Sequence, residues 1–103
     1  MKINRSPRYI KELFKTLEYI AKDKISASEK FHKELDELIN NLPNFPYKFR
    51  KSIYFNDKNI RDMIFRGYTV VYRIKPIKKE IEILRIFNKN KPPINKDITN
   101  QRS

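Results

Sequence analysis

The second half of the chain consists of short segments of alternating apolar and polar residues, separated by brief turns. The alternation predicts strands at about residues 50–56, 60–66, 68–75 and 80–87. Short connections join antiparallel neighbours, whereas parallel strands need a long crossover. The only glycine, Gly67, lies between the second and third segments, where a positive φ suits a tight turn. This half is therefore predicted to form an antiparallel meander.

The first half has helical periodicity after a short strand at residues 2–5. Ser6-Pro7 predicts a helix start, since serine accepts the first free N–H groups and proline suits the first helical position. A second start is predicted at Ser26, because Glu29 completes the spacing of a capping box, and this helix ends near Pro43. The apolar stripes of the two helices are Ile10, Leu13, Phe14, Leu17, Ile20 and Ala21, and Phe31, Leu35, Leu38, Ile39 and Leu42.

Together the halves predict an α+β fold, with an N-terminal α-helical hairpin packed on a small twisted antiparallel β-sheet. The length of 103 residues suits one domain, expected at residues 1–91, followed by a polar tail at 92–103. Cysteine is absent, which excludes disulfides and thiolate metal sites. No apolar run is long enough for a membrane span or a signal peptide, so a cytoplasmic protein is expected.

The chain is strongly basic. It has 24 Lys and Arg against 12 Asp and Glu, a net charge of +12. Residues 1–50 carry 11 basic and 7 acidic side chains, and residues 51–103 carry 13 and 5, so the sheet half holds most of the excess. Such an excess predicts an anionic partner: a nucleic acid, an acidic protein, or both.

Alternation in the last two strands assigns residues to the two sheet faces. In the third predicted strand, one face carries Tyr68, Val70, Tyr72 and Ile74, and the other carries Thr69, Val71 and Arg73. In the fourth, one face carries Ile81, Ile83, Arg85 and Phe87, and the other carries Glu82, Leu84 and Ile86. One face is expected to pack on the helices. The other mixes apolar, aromatic and basic residues, which favours an interface over a merely solvated face.

The order of these segments resembles the RelE/ParE superfamily of bacterial toxins. The resemblance rests on residues 67–74, G-Y-T-V-V-Y-R-I, then a basic turn, then residues 81–87, I-E-I-L-R-I-F. The Ser6-Pro7 helix start, and Phe45-Pro46 before a basic stretch, are similar to the ParE branch. It covers nearly the whole chain and implies the toxin of a type II toxin–antitoxin system.

In such systems an antitoxin wraps the toxin, so a hetero-oligomer with an acidic cognate antitoxin is expected. ParE-like members act on DNA gyrase, and RelE-like members cleave messenger RNA on the ribosome. The ParE branch is the first reading, and a ribosome-dependent ribonuclease is the alternative. A basic nucleic-acid-binding module without a toxin role is the third. No cofactor, metal, membrane partner or small-molecule substrate is expected.

The residues of the sheet half separate the two branches. In the ribonuclease branch an arginine commonly follows the first tyrosine of the third strand, where this chain has Thr69. The chain also lacks a tyrosine after Tyr72. A ribonuclease would use Arg66, Arg73, Arg85 and Lys89, for which no acid/base pair is evident. His32 is interpreted as a helix-surface residue, and Asp57, Asp62 and His32 lack metal-ligand spacing.

Two sets of basic residues are predicted to bind partners. Arg85, Lys89 and Lys91 are candidates for the target, and all three are expected to be solvent-exposed, because a small core cannot bury three unpaired cations. Arg61, Arg73 and Arg85 are candidates for anchoring an acidic antitoxin segment.

Overall fold

The computed structural model describes residues 1–90. Two helices pack on one face of a five-stranded sheet, and a short 3-10 turn at Leu42–Asn44 leads from the helices to the sheet. The elements, in chain order, are β1 Lys2–Arg5, α1 Pro7–Asp23, α2 Ile25–Asn40, β2 Arg50–Lys51, β3 Ile60–Phe65, β4 Tyr68–Lys75 and β5 Glu80–Asn88.

Helix α1 begins where the sequence predicts. Ser6 is the N-cap with extended backbone angles, and its hydroxyl accepts a hydrogen bond from the Tyr9 N–H at 3.0 Å. Pro7 occupies the first helical position, where its missing N–H costs nothing. The same Ser6 hydroxyl donates to the carbonyl of Leu84 on β5 at 3.0 Å. The start of α1 is therefore fixed to the sheet.

The predicted capping box at Ser26 and Glu29 is wrong. Lys24 ends α1 and is at once the N-cap of α2, without a side-chain cap, so Ser26 lies inside the helix. The N-cap of α2 thus lies two residues before Ser26, the residue predicted for this role. Ser28 instead donates from its hydroxyl to the Leu17 carbonyl at 2.8 Å, which joins the two helices.

The sheet has the order β1-β5-β4-β3-β2. The antiparallel pairing of β2, β3, β4 and β5 is confirmed, and the β3–β4 turn uses positive φ at Arg66 (48°) and Gly67 (82°). The predicted α+β class is confirmed, and β1 makes the sheet mixed, because it pairs with β5 in parallel, Lys2 opposite Glu80 and Arg5 opposite Ile83. The helices and the other strands lie between β1 and β5 in the chain, which is ample for a parallel connection.

The predicted strand at 50–56 is mostly a loop. Only Arg50 and Lys51 pair with β3, and the chain then leaves the sheet. The backbone N–H of Ile53 donates to the Asp62 carboxylate at 3.1 Å, and the rings of Tyr54 and Phe87 meet edge to face, 5.3 Å between centroids. We call residues 52–57 the covering loop, since it lies over the sheet face opposite the helices.

A β-bulge decides which residues of β5 enter the core. Val71 pairs with Arg85 and Tyr72 with Ile83, so Leu84 is an extra residue. The bulge reverses the alternation, and Ile86 joins Ile81 and Ile83 against the helices, contrary to the sequence expectation. The buried cluster is Tyr9, Leu13, Phe31, Leu35, Ile39, Leu42, Met63, Val70, Tyr72, Ile74, Ile81, Ile83 and Ile86.

The helix stripes are partly corrected. Leu13, Phe31, Leu35 and Ile39 are buried as predicted, but Phe14 is 66% exposed, and Leu38 is also exposed. Tyr9, outside the predicted stripe, is fully buried. Neither helix among residues 1–90 is long and apolar enough to cross a membrane.

Candidate functional site

The sheet face opposite the helices is largely closed. Thr69 and Val71 are fully buried, and Ile60 and Asp62 are 2% and 1% exposed. They lie beneath the covering loop, which contacts the sheet through Asp62 and Phe87. The sequence predicts an interface of apolar, aromatic and basic residues on this face. That prediction is wrong for the centre of the face, which is buried. What stays accessible is the rim of this face, where β4 and β5 meet the start of α1.

A cavity of about 230 Å³ lies at this rim. We call it the arginine pocket; its lining residues are Ser6, Arg8, Phe55, Arg73, Leu84 and Arg85. Three guanidinium groups come from α1, β4 and β5, and one aromatic ring comes from the covering loop. Two larger hollows, of about 530 and 560 Å³, are lined by residues 51–56 and by the end of α1, and neither is lined by an arginine.

A bidentate ion pair with Glu12 holds Arg85 against α1. The Nε of Arg85 donates to both carboxylate oxygens of Glu12, at 3.1 and 3.0 Å, and its Nη2 donates to Oε2 at 2.8 Å. The backbone N–H of Ile86 also donates to Glu12 Oε1 at 3.1 Å. Arg85 is 7% exposed, so the expectation that it is solvent-exposed is wrong. It is buried because a carboxylate matches its charge.

The sheet geometry explains why Glu12 reaches β5. Strand β1 ends at Arg5, opposite Ile83, and no strand within residues 1–90 pairs with the next residues of β5 on that side. The Ser6 hydroxyl binds the free Leu84 carbonyl, and Glu12 binds the free Ile86 N–H. Side chains of α1 thus replace the missing strand, and they satisfy backbone groups that would otherwise be open to pairing.

The cations around the pocket outnumber the carboxylates. Arg8 lies 3.8 Å from the same Glu12 carboxylate that Arg85 occupies. Arg73 lies 3.9 Å from Glu82, which Lys75 contacts more closely at 3.3 Å. Among residues 1–90, four cations around the pocket therefore share two carboxylates, an excess of two positive charges. The side chains of Arg8 and Arg73 are 49% and 42% exposed, so both can turn toward a ligand.

The structure brings together only part of the predicted site. Arg73 and Arg85 line one pocket, but Arg66 lies in the β3–β4 turn, paired with Glu34, and the Lys89 N–H donates to the Gly67 carbonyl beside that turn. The four residues of the ribonuclease set therefore form two separate groups. Lys91 lies outside the described residues.

Arg61 is on the opposite side of the sheet from the pocket. It donates to the carbonyls of Lys58 at 3.0 Å and Phe49 at 3.1 Å, and its guanidinium lies 4.9 Å from the Tyr47 ring centroid. These contacts hold the link between α2 and β3. In the sheet, Arg61 of β3 pairs with Tyr72 of β4. The strand pattern in the sequence does not indicate that Arg61 also binds the link between α2 and β3.

Sequence reasoning missed Arg8, Glu12 and Phe55 as members of the site. The only local signal was the i,i+4 spacing of Arg8 and Glu12, which is common on helices. Glu12 and Arg85 are 73 residues apart, so their pairing depends on the parallel entry of β1 beside β5. Phe55 reaches the pocket only because the covering loop leaves the sheet.

Burial raises the pKa of Tyr9 and of Tyr72 to about 12, and it also raises the pKa of Tyr68. For Tyr9 the nearby Asp36 carboxylate raises the pKa further. These hydroxyls stay protonated at neutral pH. That of Tyr72 donates to the Pro46 carbonyl at 2.7 Å, which fixes the link to β4. No group of His, Asp or Glu residues that could hold a metal ion occurs within residues 1–90.

Comparison with protein families gives a match to the ParE toxin of the type II toxin-antitoxin system parDE, over residues 3–92. The chain belongs to the ParE toxin family. The matched range contains every helix and strand described above except Lys2, the first residue of β1. No curated protein sequence matches this ParE family member.

Solved structures agree on the fold. A structure of the chromosomal ParDE TA system from P. aeruginosa has a TM-score of 0.69 to this ParE family member, with 19% identity over 85% of this chain and 95% of the other. The isolated E. coli RelE toxin has a TM-score of 0.54 with 14% identity, over 99% of this chain and 98% of the other. At these identities the likeness shows the shared α+β toxin fold.

Proposed function

We propose that this ParE family member is the toxin of a type II toxin–antitoxin pair, that it arrests growth through DNA gyrase, and that an acidic antitoxin neutralises it. The family match over residues 3–92 is the observation that carries the proposal. The structure of the ParDE TA system, whose fold matches 85% of this chain, also supports the proposal. The net charge of +12 supports an acidic partner.

The antitoxin would use the rim of the sheet. Of the three arginines predicted as anchors, Arg61 and Arg85 are engaged in holding the fold, and Arg73 keeps a side chain that is 42% exposed. An acidic segment lying along the open rim would therefore meet Arg73 first. Phe14 and Tyr19, both exposed on α1, offer apolar contacts on the neighbouring helix.

The experiment that tests the proposal is induced expression in a bacterial host, with and without co-expression of the protein that the neighbouring gene encodes. Growth arrest that the neighbour relieves is expected. Purified protein should then inhibit DNA supercoiling by gyrase in vitro. Growth arrest with unchanged supercoiling would contradict the gyrase target while leaving the toxin–antitoxin assignment intact.

A ribosome-dependent ribonuclease remains the second candidate, because Arg73 and Arg85 line one pocket. Primer extension on a translated message separates the two candidates. We expect no new codon-positioned ends, since Thr69 replaces the arginine typical of that branch and Arg66 and Lys89 lie apart from the pocket. Cuts that disappear in the Arg73→Ala protein would favour the ribonuclease instead.

A further inference from the structure

We propose that the arginine pocket is a binding site for the phosphate group of a nucleotide, free or within a nucleic-acid strand. The proposal goes beyond the toxin assignment, because it concerns a ligand of the isolated protein. It rests on the cavity between α1, β4, β5 and the covering loop, and on the charges and the ring that line it.

The charge of the pocket suits a phosphate. Three arginines line the pocket, four cations of the described residues share two carboxylates around it, and a phosphate monoester carries about −1.5 to −2 at neutral pH. Arg85 already has its carboxylate in Glu12, so its fixed guanidinium contributes charge and shape. Arg8 and Arg73 supply exposed guanidinium groups from two different elements. Planar guanidinium groups that approach from different elements suit a phosphate, which has several equivalent oxygens, better than they suit a single carboxylate.

The size and the walls of the pocket also fit. The cavity of about 230 Å³ has room for a phosphate group and part of its ester. Phe55 is half-buried, and its ring lines the same cavity as the arginines. An aromatic ring next to guanidinium groups can stack a nucleobase while the phosphate is held by charge.

The proposal is tested by calorimetric titration of the purified full chain with inorganic phosphate, adenosine 5′-monophosphate and a short single-stranded DNA, at low and constant ionic strength. Saturable binding with one site per chain is expected for at least one of them. The ranking of the affinities identifies the source of the phosphate. If the nucleotide binds more tightly than inorganic phosphate, and Phe55→Ala weakens its binding, the base stacks on the Phe55 ring. If the DNA binds most tightly, the ligand is a nucleic-acid strand.

Two double variants of equal net charge provide the control. Arg8→Gln with Arg73→Gln should weaken binding by about tenfold or more, because each removes a charge-assisted hydrogen bond. Lys11→Gln with Lys78→Gln, at exposed positions outside the pocket, should change it by about twofold or less. Thermal melts of both variants confirm that each is folded.

The proposal is overturned if none of the three ligands binds with saturation, or if the two double variants weaken binding equally. It is also overturned if a glutamate hexapeptide binds through Arg8 and Arg73 while the phosphate ligands do not. That result would assign the pocket to a carboxylate of a protein partner.

Discussion

Glu12 on α1 and Arg85 on β5 form the best-matched ion pair in the described structure, with three hydrogen bonds of 2.8–3.1 Å between the two side chains. The same carboxylate accepts the N–H of Ile86, which has no strand partner on that side. One side chain therefore both neutralises a buried arginine and closes the edge of the sheet. This pair links helix, strand and pocket, and it changes the expected outcome of substituting Arg85.

Replacing Arg85 by glutamine should destabilise the fold by about 2–4 kcal/mol, because the Glu12 carboxylate would remain partly buried without its cation. Urea unfolding followed by circular dichroism measures this change. Arg73→Gln is the matched control; it removes the same group at an exposed position and should cost about 1 kcal/mol or less. Equal losses in the two variants would show that the pair adds nothing specific.

Replacing Ser6 by alanine should lower the free energy of unfolding by about 1–2 kcal/mol, since the hydroxyl caps α1 and binds the Leu84 carbonyl. Ser26→Ala is the control, because Ser26 lies inside α2 and caps nothing. Its effect should stay within about 0.5 kcal/mol. Urea denaturation of the two variants measures the difference, and a larger loss for Ser26→Ala would contradict the observed helix boundary.

Stability should fall at high pH because Tyr9 and Tyr72 are held protonated. An unfolded tyrosine loses its proton near pH 10, whereas both folded groups have a pKa of about 12. Their contribution is fully present below about pH 10 and is lost between about pH 10 and pH 12, at about 1.4 kcal/mol per pH unit for each group. Thermal melts across this range should show a shallower decline for Tyr9→Phe than for the wild type. Tyr19→Phe, at an exposed position, should not change the slope.

Neutralising Lys89 and Lys91 together should reduce growth arrest without loss of stability. Lys89 is exposed at the end of the sheet, and Lys91 follows it in the sequence. The double glutamine variant keeps Arg85 intact, so its melting temperature should match the wild type to within about 2 °C. Lys22→Gln with Lys30→Gln, both exposed on the helices, is the charge-matched control. If both variants arrest growth as the wild type does, the active surface lies elsewhere.

Local patterns were sufficient to predict the helix that begins at Ser6, the meander of β3 to β5 and the turn at Arg66-Gly67. Each depends on residues close together in the chain. The parallel pairing of β1 with β5 could not be predicted in this way, because it joins segments almost eighty residues apart. The covering loop left the sheet for contacts with Asp62 and Phe87 that a strand pattern does not encode.

The candidate site was predicted less completely than the fold. Strict alternation predicts Arg85 on the same face as Ile83, and the cost of burying an unpaired cation predicts that it is exposed. The extra residue at Leu84 reverses that alternation, and a bulge of one residue has no clear sequence signal here. The partner of Arg85 comes from the other half of the chain, so its burial could not be foreseen.

The central position of β5 has a consequence for how the protein is made. This strand lies between β1 and β4, and it supplies Ile81, Ile83 and Ile86 to the core. Synthesis proceeds from the N-terminus, so a nascent chain holds β1 and both helices long before their sheet neighbour exists. We expect the apolar faces of α1 and α2 to stay uncovered until β5 emerges, and folding to be completed in one step at that point.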